Sequence, residues 1–346
     1  MLRRRLLPIL RSARSRTQHA IAGGLGRLRD PHQVIAARPA GDIALGPKIV
    51  LFLHWDSSGK VRDALFHYIA DLAETGRSIV FVTNSGRLDP VAETRLASLC
   101  AGILIRRNIG YDFGGWRDAI ETLDLPRPDT EEIIIANDSI FGPVRPLAPI
   151  LEHFDYEAAD VWGMTESWQS RYHLQSYFMG FGPRAIRSPA FRDFWSRVIP
   201  APSKSYVIGT YEVGLTQAML KAGLRADALW RYEDLIRQID REGLAAYLEA
   251  DPVNGKRIDP VDLTRALHVL RLRDAVARRQ PLNPTADLWR HLLRAGYPFL
   301  KRELLRDNPT KVEDVGDWAA VLRDDLGVDP APIVADLRTM LRGLAP

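Results

Sequence analysis

Short apolar runs alternate with helical patterns across the first half of the chain. Four of these runs predict strands that are buried on both faces, because they are continuous rather than alternating. They are Lys48–His54, Ser78–Thr83, 102–105 and 132–136. Apolar residues at helical spacing predict helices between them, at about 60–75, 90–101 and 116–123. This order predicts βαβ units and an α/β fold, in which a mostly parallel sheet is flanked by helices.

The later part of the chain has a different pattern. Residues 160–240 combine short strands with amphipathic helices, and helical patterns dominate beyond residue 244. The helices predicted in this last part cover 264–279, 285–305, 317–326 and 332–344.

Three regions follow from these patterns. Residues 31–47 are rich in Pro, Gly and Ala and are predicted to be a linker. We therefore expect an N-terminal tail and linker at 1–47, an α/β domain at 48–243 and a helical C-terminal region at 244–346.

Composition excludes several classes of protein. Of the 346 residues, 46% are hydrophobic and 26% are charged, as in ordinary globular proteins. The single cysteine, Cys100, excludes an internal disulfide and a zinc site built from cysteines, and it favours a reducing compartment. No apolar run reaches the roughly 18 residues of a membrane span. We therefore expect a cytoplasmic protein.

The positive charge of the chain lies in its N-terminal tail. The net charge is +4, but residues 1–30 hold eight arginines and one acidic residue, so the rest of the chain is slightly negative. Nucleic-acid binding is not expected, because it requires a basic face on the folded domain. Residues 1–29 interleave Leu and Ile with Arg, which predicts contact with the inner face of the plasma membrane. A solvated terminus is the alternative.

One glycine-bearing motif, at residues 106–118, leaves a predicted strand and enters a helix. Gly110 and Gly115 allow the backbone to approach a ligand, and the helix N-terminus offers free N–H groups. Arg106, Arg107 and Arg117 add cations suited to a diphosphate. A tight turn that closes a βα unit is the alternative interpretation.

A second motif, Asn137-Asp138-Ser139, ends the fourth predicted strand. Ligands bind at the carboxyl ends of strands in parallel sheets, so this acid would face a ligand crevice. Its carboxylate could ligate a divalent cation or bind a ribose hydroxyl. An Asx-turn that caps the strand is the alternative.

Two further segments carry polar and aromatic side chains. Glu212 precedes a helical pattern, where it could act as a base or as a first-turn partner of the helix dipole. Trp162, Glu166, His173 and Gln175 lie in segments that suit a sugar, which needs flat apolar stacking and hydrogen bonds to hydroxyls.

These motifs together resemble the rhamnan synthesis protein F family, which comprises glycosyltransferase-type proteins of bacterial polysaccharide assembly. The motifs that carry the resemblance are Asn108-Ile109-Gly110, Asn137-Asp138-Ser139, Trp162-Gly163, 173–177 and Tyr211-Glu212. The similarity runs over about 48–234 and resumes near 283–303. The first half is more distantly similar to family-two glycosyltransferases of the GT-A fold, so the resemblance implies a GT-A-like, Rossmann-type sheet with a helical C-terminal extension.

The resemblance implies specific roles for these residues. Glu212 would be the catalytic base, and Asp138 would hold a Mg²⁺ or Mn²⁺ ion or place the donor sugar. Where the family-two enzymes carry Asp-x-Asp, this chain keeps only Asp138, so the arginines are the alternative carriers of the diphosphate charge. The nucleotide-diphosphate sugar would contact Asn84, Asp89, Arg107, Asn108, Gly110, Asp112, Gly115, Arg117, Asn137 and Ser139. The sugar or acceptor pocket would contain Trp162, Glu166, His173, Gln175 and Tyr211.

The implied function is an inverting transfer of a sugar onto a polysaccharide or lipid-linked acceptor, with dTDP-L-rhamnose as the donor. Two alternatives stay open. The first is a non-catalytic sugar-binding or scaffold subunit of a polysaccharide assembly complex. The second is a haloacid-dehalogenase-like phosphotransferase, in which Asp56 would be the nucleophile and Thr83 would contact phosphate, although Ser58 stands where the second acid is expected.

Overall fold

One sheet of nine strands dominates the part of the chain that the structure, a computed structural model, describes: residues 32–239, 242–250 and 257–342, with Ile21 and Gly24. Its strands are β1 (Val34–Arg38), β2 (Lys48–His54), β3 (Ser78–Thr83), β4 (Gly102–Arg106), β5 (Glu132–Asn137), β7 (Val161–Ser167), β8 (His173–Leu174), β9 (Phe178–Phe181) and β10 (Ala226–Trp230). A separate two-stranded sheet pairs β6 (Ile140–Phe141) with β11 (Leu300–Lys301).

The middle of the large sheet is parallel. The strands follow the order β1-β4-β3-β2-β5-β9-β7-β10, and β8 pairs with β7. Strands β4, β3, β2 and β5 run parallel, whereas β1 and β9 are antiparallel to their neighbours β4 and β5. Strand β2 lies between β3 and β5 and runs parallel to both. The carboxyl ends of these three strands therefore lie side by side at one edge of the sheet.

Helices connect and cover these strands. The α-helices are α1 (Asp63–Glu74), α2 (Pro90–Ala97), α3 (Tyr111–Thr122), α4 (Leu147–Leu151), α5 (Pro183–Ile186), α6 (Pro189–Ser196), α7 (Lys204–Val207), α8 (Val213–Lys221), α9 (Tyr232–Arg237), α10 (Ala245–Glu249), α11 (Pro260–Ala277), α12 (Pro284–Asp287), α13 (Trp289–Arg294), α14 (Arg302–Arg306), α15 (Trp318–Ala320) and α16 (Ala331–Arg342). Short 3₁₀ segments lie at Glu242–Leu244 and Glu313–Asp317, and π-helical turns lie at Ile208–Glu212 and Val321–Asp325.

Both faces of the sheet carry a hydrophobic core. Along β2, Val50 and Phe52 belong to one cluster, and Ile49, Leu51 and Leu53 belong to the cluster on the opposite face. Successive side chains of a strand point to opposite faces, so a continuous apolar run needs cover on both sides. The predicted α/β fold, with a central parallel sheet flanked by helices, is therefore confirmed.

The predicted linker at 31–47 needs one correction. Val34–Arg38 forms β1, which extends the sheet by pairing antiparallel with β4, and the Arg107 N–H donates to the Gln33 carbonyl oxygen at 2.9 Å. Strand β1 is only five residues long, and Pro39 and Gly41 follow it closely in the sequence. Its strand structure comes from the partner edge of β4, which the local sequence does not reveal.

The helix predicted over 285–305 is also wrong. Two short helices, α12 and α13, end before Gly296, whose φ of +88° stops the helix, and the chain then enters β11 and α14. Pro298 follows within two residues. The break matters because β11 pairs with β6, directly after the Asn137-Asp138-Ser139 turn.

The N-terminal residues 1–29, for which we predict membrane contact, lie outside the described part of the chain except for Ile21 and Gly24. Within the described ranges, no helix is long and apolar enough to cross a membrane.

Candidate functional site

The turn after β5 lies at the edge where the parallel strands end. The Asp138 N–H donates to the Leu53 carbonyl oxygen of β2 at 3.1 Å, so the turn is joined to the neighbouring strand. The Asn137 Oδ1 accepts from the Ser139 N–H at 3.1 Å and from the Ser139 hydroxyl at 2.6 Å. The turn is therefore an Asx-type turn, as one interpretation of the sequence predicted, and it also places Asp138 at the ligand edge of the sheet.

Asp112 enters the same region from the first turn of α3. Its Oδ2 accepts from the Asn137 Nδ2 at 2.9 Å. Burial, together with the negative charges of Asp138 and Glu212, raises the pKa of Asp112 to about 7, against the opposing hydrogen bond from Asn137. Three carboxylates from separate elements therefore share one electrostatic environment.

The backbone that leads to Asp112 is constrained. Gly110 has a φ of +88°, and a Cβ there would meet the Pro200 Cα at 3.0 Å. Tyr111, which is not a glycine, also adopts a positive φ of 54°. Such a conformation persists only where surrounding contacts hold it, and it concentrates at functional sites.

We expect Asp112→Asn to stabilise the protein above neutral pH. A carboxyl whose pKa is raised on folding holds a proton that the unfolded chain has released between about pH 4 and pH 7, so the free energy of unfolding falls as the pH rises through that window. Asparagine keeps an oxygen that accepts from Asn137 and has no acidic proton. We therefore expect the free energy of unfolding of the variant to exceed that of wild type by about 1–3 kcal/mol at pH 8. Urea denaturation at pH 5 and pH 8 measures it, with the exposed Asp193→Asn as the matched control. Equal pH dependence in wild type and Asp112→Asn would contradict the assignment.

Glu212 reaches the cleft from a π-helical turn. This turn, Ile208–Glu212, lies between α7 and α8, and such turns are frequent at functional sites. The Ser176 N–H and hydroxyl both donate to the Glu212 Oε1 at 3.1 Å, so the carboxylate is held in one orientation. Burial lowers the pKa of Lys301, and the charge of Glu212 opposes that effect, which places the two groups near each other.

Arg302 reaches the turn after β5 from a segment whose sequence pattern predicts a helix and no site residue. Its Nη1 donates to the Asp138 Oδ2 at 2.9 Å, and its own N–H donates to the Ser139 carbonyl oxygen at 2.9 Å. Arg302 lies 164 residues from Asp138 in the chain. A break in the helix brings Arg302 to the turn after β5. Gly296 and Pro298 were the sequence signal from which this break could have been predicted.

The donor set at Asp138 does not fit a divalent metal. Its side chain is the single carboxylate of the turn, and the guanidinium of Arg302 pairs with Oδ2. Mg²⁺ and Mn²⁺ require several oxygen ligands. Among the residues that the structure describes, no group of three His, Cys, Asp or Glu side chains is arranged to hold a metal ion.

Several predicted ligand residues are instead engaged within the fold. Asn84 is 1% exposed, donates to the Tyr111 carbonyl oxygen at 3.2 Å and accepts from Arg106. Arg117 is also buried, and its guanidinium donates to Asp118 and Glu121. Asp89 caps α2 by accepting from the N–H groups of the helix start. These side chains hold the turns around the site.

Gly115 serves close packing. A Cβ there would lie 2.0 Å from the Leu53 Cδ1, so α3 packs against β2 only because no side chain intervenes. Arg107 and Asn108, by contrast, are exposed.

The residues assigned to a sugar or acceptor pocket are buried and bonded within the fold. Trp162 stacks on Phe154, with ring centroids 6.0 Å apart, and its Nε1 donates to a carbonyl oxygen. The others share internal polar partners: Glu166 accepts from the Tyr232 N–H, His173 contacts the Arg171 carbonyl oxygen, Gln175 accepts from Thr165, and the Tyr211 hydroxyl bonds to the backbone of Ile199. The polar groups of these side chains are therefore bonded within the protein.

The geometry gives no support to a phosphotransferase. The Asp56 Oδ1 accepts from the N–H and hydroxyl of Ser58, at 2.8 and 2.6 Å, and Oδ2 pairs with Arg62 at 3.2 Å. These contacts lower the pKa of Asp56 against the opposing effect of burial. The carboxylate therefore stabilises its own loop, and no second acid accompanies it within the loop.

Comparison with known proteins yields a family match. The model of the rhamnan synthesis protein F family matches residues 79–248. The chain is 30% identical over 238 residues to virulence protein VirA of Vibrio anguillarum, a match that covers 64% of this chain and 70% of VirA. It is 30% identical over 179 residues to the uncharacterized protein y4gN of Sinorhizobium fredii, which covers 51% of this chain. The chain spans about half, 46%, of y4gN.

Solved structures show a weaker likeness. The mannosyltransferase PcManGT from Pyrobaculum calidifontis, in complex with GDP-Man and Mn²⁺, is 12% identical and aligns with 83% of this chain and 85% of its own, at a TM-score of 0.34. A glycosyltransferase involved in glycosylating the major capsid of PBCV-1 is also 12% identical and aligns with 53% of this chain and 81% of its own, at a TM-score of 0.32. At these TM-scores, the likeness carries no argument about this chain.

Proposed function

This chain belongs to the rhamnan synthesis protein F family, and we propose from that premise that it is a glycosyltransferase of GT-A-like architecture. The donor would be a nucleotide-diphosphate sugar, and the acceptor a saccharide or a lipid-linked saccharide. The family description favours L-rhamnose, supplied as dTDP-L-rhamnose, as the transferred sugar.

One observation carries the proposal. Asp112 is bonded to Asn137, the neighbour of Asp138 in the turn after β5. Glu212 is bonded to the backbone of Ser176, and the next residue, Tyr177, accepts from the Asn137 N–H at 3.1 Å. These contacts support one cleft around the end of β5 to which three separate elements contribute carboxylates. Each lies inside the span 79–248 that the family model matches. A cleft with oriented carboxylates suits a reaction that removes a hydroxyl proton and develops positive charge at a sugar ring.

In the proposed reaction, Glu212 is the base. It takes the proton of the acceptor hydroxyl while that oxygen attacks the anomeric carbon of the donor sugar. The bond between this carbon and the diphosphate oxygen breaks, its electron pair leaves with the nucleoside diphosphate, and the anomeric configuration inverts. Because Ser176 holds the Glu212 Oε1, Oε2 is the oxygen that we expect to receive the proton.

The neighbouring groups have supporting roles in this proposal. Asp112, whose pKa is about 7, donates or accepts a hydrogen bond to a sugar hydroxyl according to its protonation state. Asn137 orients Asp112. The exposed aromatic side chains of Trp55 and Tyr111, which lie next to the loops of the cleft, provide flat surfaces for a sugar or a nucleobase.

A donor panel tests the proposal. The full chain is heated with dTDP-L-rhamnose and with UDP-, GDP- and dTDP-linked sugars, and the unfolding temperature is recorded. A ligand that binds only the native state raises that temperature. The stabilising donor is then incubated with lipid-linked saccharide, and release of nucleoside diphosphate and transfer of radiolabelled sugar are measured.

The outcomes separate the candidate functions. Selective stabilisation with transfer supports the glycosyltransferase. Binding without transfer to any acceptor of the panel would support a non-catalytic subunit, and absence of binding to every nucleotide sugar would overturn the proposal. Hydrolysis of an aryl phosphate ester that Asp56→Asn abolishes would favour the phosphotransferase.

A further inference from the structure

We propose that Arg302 supplies the positive charge expected of a Mg²⁺ or Mn²⁺ ion, so that this protein binds the diphosphate of its donor without a divalent metal. The inference rests on the proposed glycosyl transfer and adds the means by which the leaving group is held. The starting observation is that Asp138 is a single carboxylate paired with Arg302, whereas a divalent metal needs several oxygen ligands.

The fold builds Arg302 into the site. Strand β11 pairs with β6 in the register Leu300 to Phe141 and Lys301 to Ile140. The pairing continues through the Arg302 N–H, which donates to the Ser139 carbonyl oxygen. The guanidinium lies 5.5 Å from the Phe141 ring centroid. Backbone pairing and ring contact therefore fix its position before any ligand arrives.

The Arg302–Asp138 ion pair occupies the place of a metal–carboxylate contact. Both side chains are largely enclosed, with 22% and 18% of their surface exposed. A divalent ion at the Asp138 Oδ2 would have to displace this guanidinium or lie against it, and two cations in contact repel each other. The Asp138 carboxylate is therefore already engaged by a cation that the chain itself supplies.

Arg302 keeps donors for an anion. A guanidinium has five N–H donors, and those of Arg302 contact Asp138 and the Met340 sulfur, at 3.4 Å from Nη2. A thioether is a weak acceptor, so a phosphate oxygen would replace it favourably. Arginine binds phosphate oxygens in bidentate fashion, which suits a diphosphate.

The cavity beside Arg302 carries further cations. Lys60 and Arg62 line it from the loop after β2, together with the acidic groups Asp138 and Asp336. Arg62 is paired with Asp56, so Lys60 adds most to the positive charge near Arg302. His54 also lines the cavity, and burial lowers its pKa, against the charges of Asp138 and Asp56, so it is neutral at pH 7.

Isothermal titration calorimetry on the full chain tests the inference. The probes are dTDP, UDP, GDP and inorganic pyrophosphate, each in EDTA and again with 5 mM Mn²⁺ (about the usual concentration for such assays). We expect a nucleoside diphosphate to bind in EDTA within about threefold of its affinity in Mn²⁺. We expect Arg302→Met to weaken that binding by about 10- to 100-fold, the effect of losing hydrogen bonds to a charged group.

Three further variants make the test more discriminating. Arg306→Met is the matched control, because Arg306 lies on the same helix and pairs with its neighbour Asp307, and it should leave the affinity unchanged. Asp138→Asn is expected to change the affinity in opposite directions if Asp138 is a metal ligand and if Arg302 binds the diphosphate directly. Loss of a metal ligand would abolish Mn²⁺-dependent binding, whereas removal of a negative charge beside Arg302 should preserve or strengthen binding in EDTA. Arg302→Lys keeps the charge without the bidentate geometry and should give an intermediate affinity, which keeps the test informative if Arg302→Met does not fold.

The results also separate this inference from the proposed function. Binding that requires Mn²⁺, or equal affinity of wild type and Arg302→Met in EDTA, would overturn the role of Arg302 and leave the glycosyltransferase intact. Failure of every nucleoside diphosphate and nucleotide sugar to bind, with or without Mn²⁺, would overturn both.

Discussion

Glu212→Gln is expected to lower the rate of sugar transfer by about 10²- to 10⁴-fold, the usual contribution of a general base. Glutamine has almost the shape of glutamate and still offers an oxygen to the N–H and hydroxyl of Ser176, which hold the Glu212 Oε1 in the wild type. It cannot take the proton of an acceptor hydroxyl. The dissociation constant of the donor sugar should therefore change by less than about threefold, since the lost interaction forms only in the transition state.

Initial rates of transfer at saturating donor and acceptor measure this effect, and calorimetry measures donor binding. Glu233→Gln is the matched control, because Glu233 is an exposed glutamate in the first turn of a helix and pairs with Arg237. A transfer rate for Glu212→Gln within about threefold of wild type would remove Glu212 from the role of base. A parallel loss of donor binding would instead indicate that the carboxylate shapes the pocket.

Arg106→Leu is expected to destabilise the protein by about 3–5 kcal/mol, because it removes the cation bonded to the buried Asp118 Oδ2 and leaves Arg117 to pair with that carboxylate alone. Arg106 is fully buried, and its Nη2 lies 2.8 Å from the Asp118 Oδ2. The same guanidinium donates to the Ile109 carbonyl oxygen and to the Asn84 Oδ1, so it holds the turn before Asp112. Burial raises the pKa of Asp118, and the charge of Arg106 opposes that effect.

The midpoint and slope of urea denaturation at pH 7 give the free energy of unfolding for this variant. Arg107→Leu is the control, since Arg107 is the exposed neighbour of Arg106 in the sequence and should change stability by less than about 0.5 kcal/mol. Replacing the pair together, as Arg106→Met with Asp118→Leu, should recover part of the loss because no buried charge is left unpaired. Equal stability of wild type and Arg106→Leu would show that the ion pair contributes nothing to this turn.

These two predictions separate groups that looked alike in the sequence. Arg106 and Arg117 belong to a glycine-bearing turn, and their charge suggested a diphosphate ligand. In the structure, both pair with Asp118 inside the protein. Arg302, from a segment predicted to be a helix, instead pairs with Asp138 and lines the cavity beside it.

The local hydrophobic pattern was enough to predict the architecture near the site. Continuous apolar runs at β2, β3 and β5 required helices on both faces, and the polar residues that follow them had to collect at one edge. That rule was sufficient to place Asn137 and Asp138 in a candidate site before any coordinates. It was sufficient because the hydrophobic pattern is local information, which each strand carries in its own residues.

Which polar side chains are taken up inside the protein depends on contacts between distant segments. Asn84 and Gln175 are as polar in the sequence as Asp112, yet both are buried and bonded to side chains that lie far away in the chain. The approach of Arg302 to Asp138 depends on pairing between β6 and β11 across roughly 160 residues. Such contacts arise from packing between distant segments. The periodicity of residues within one segment does not indicate which distant segment it will contact.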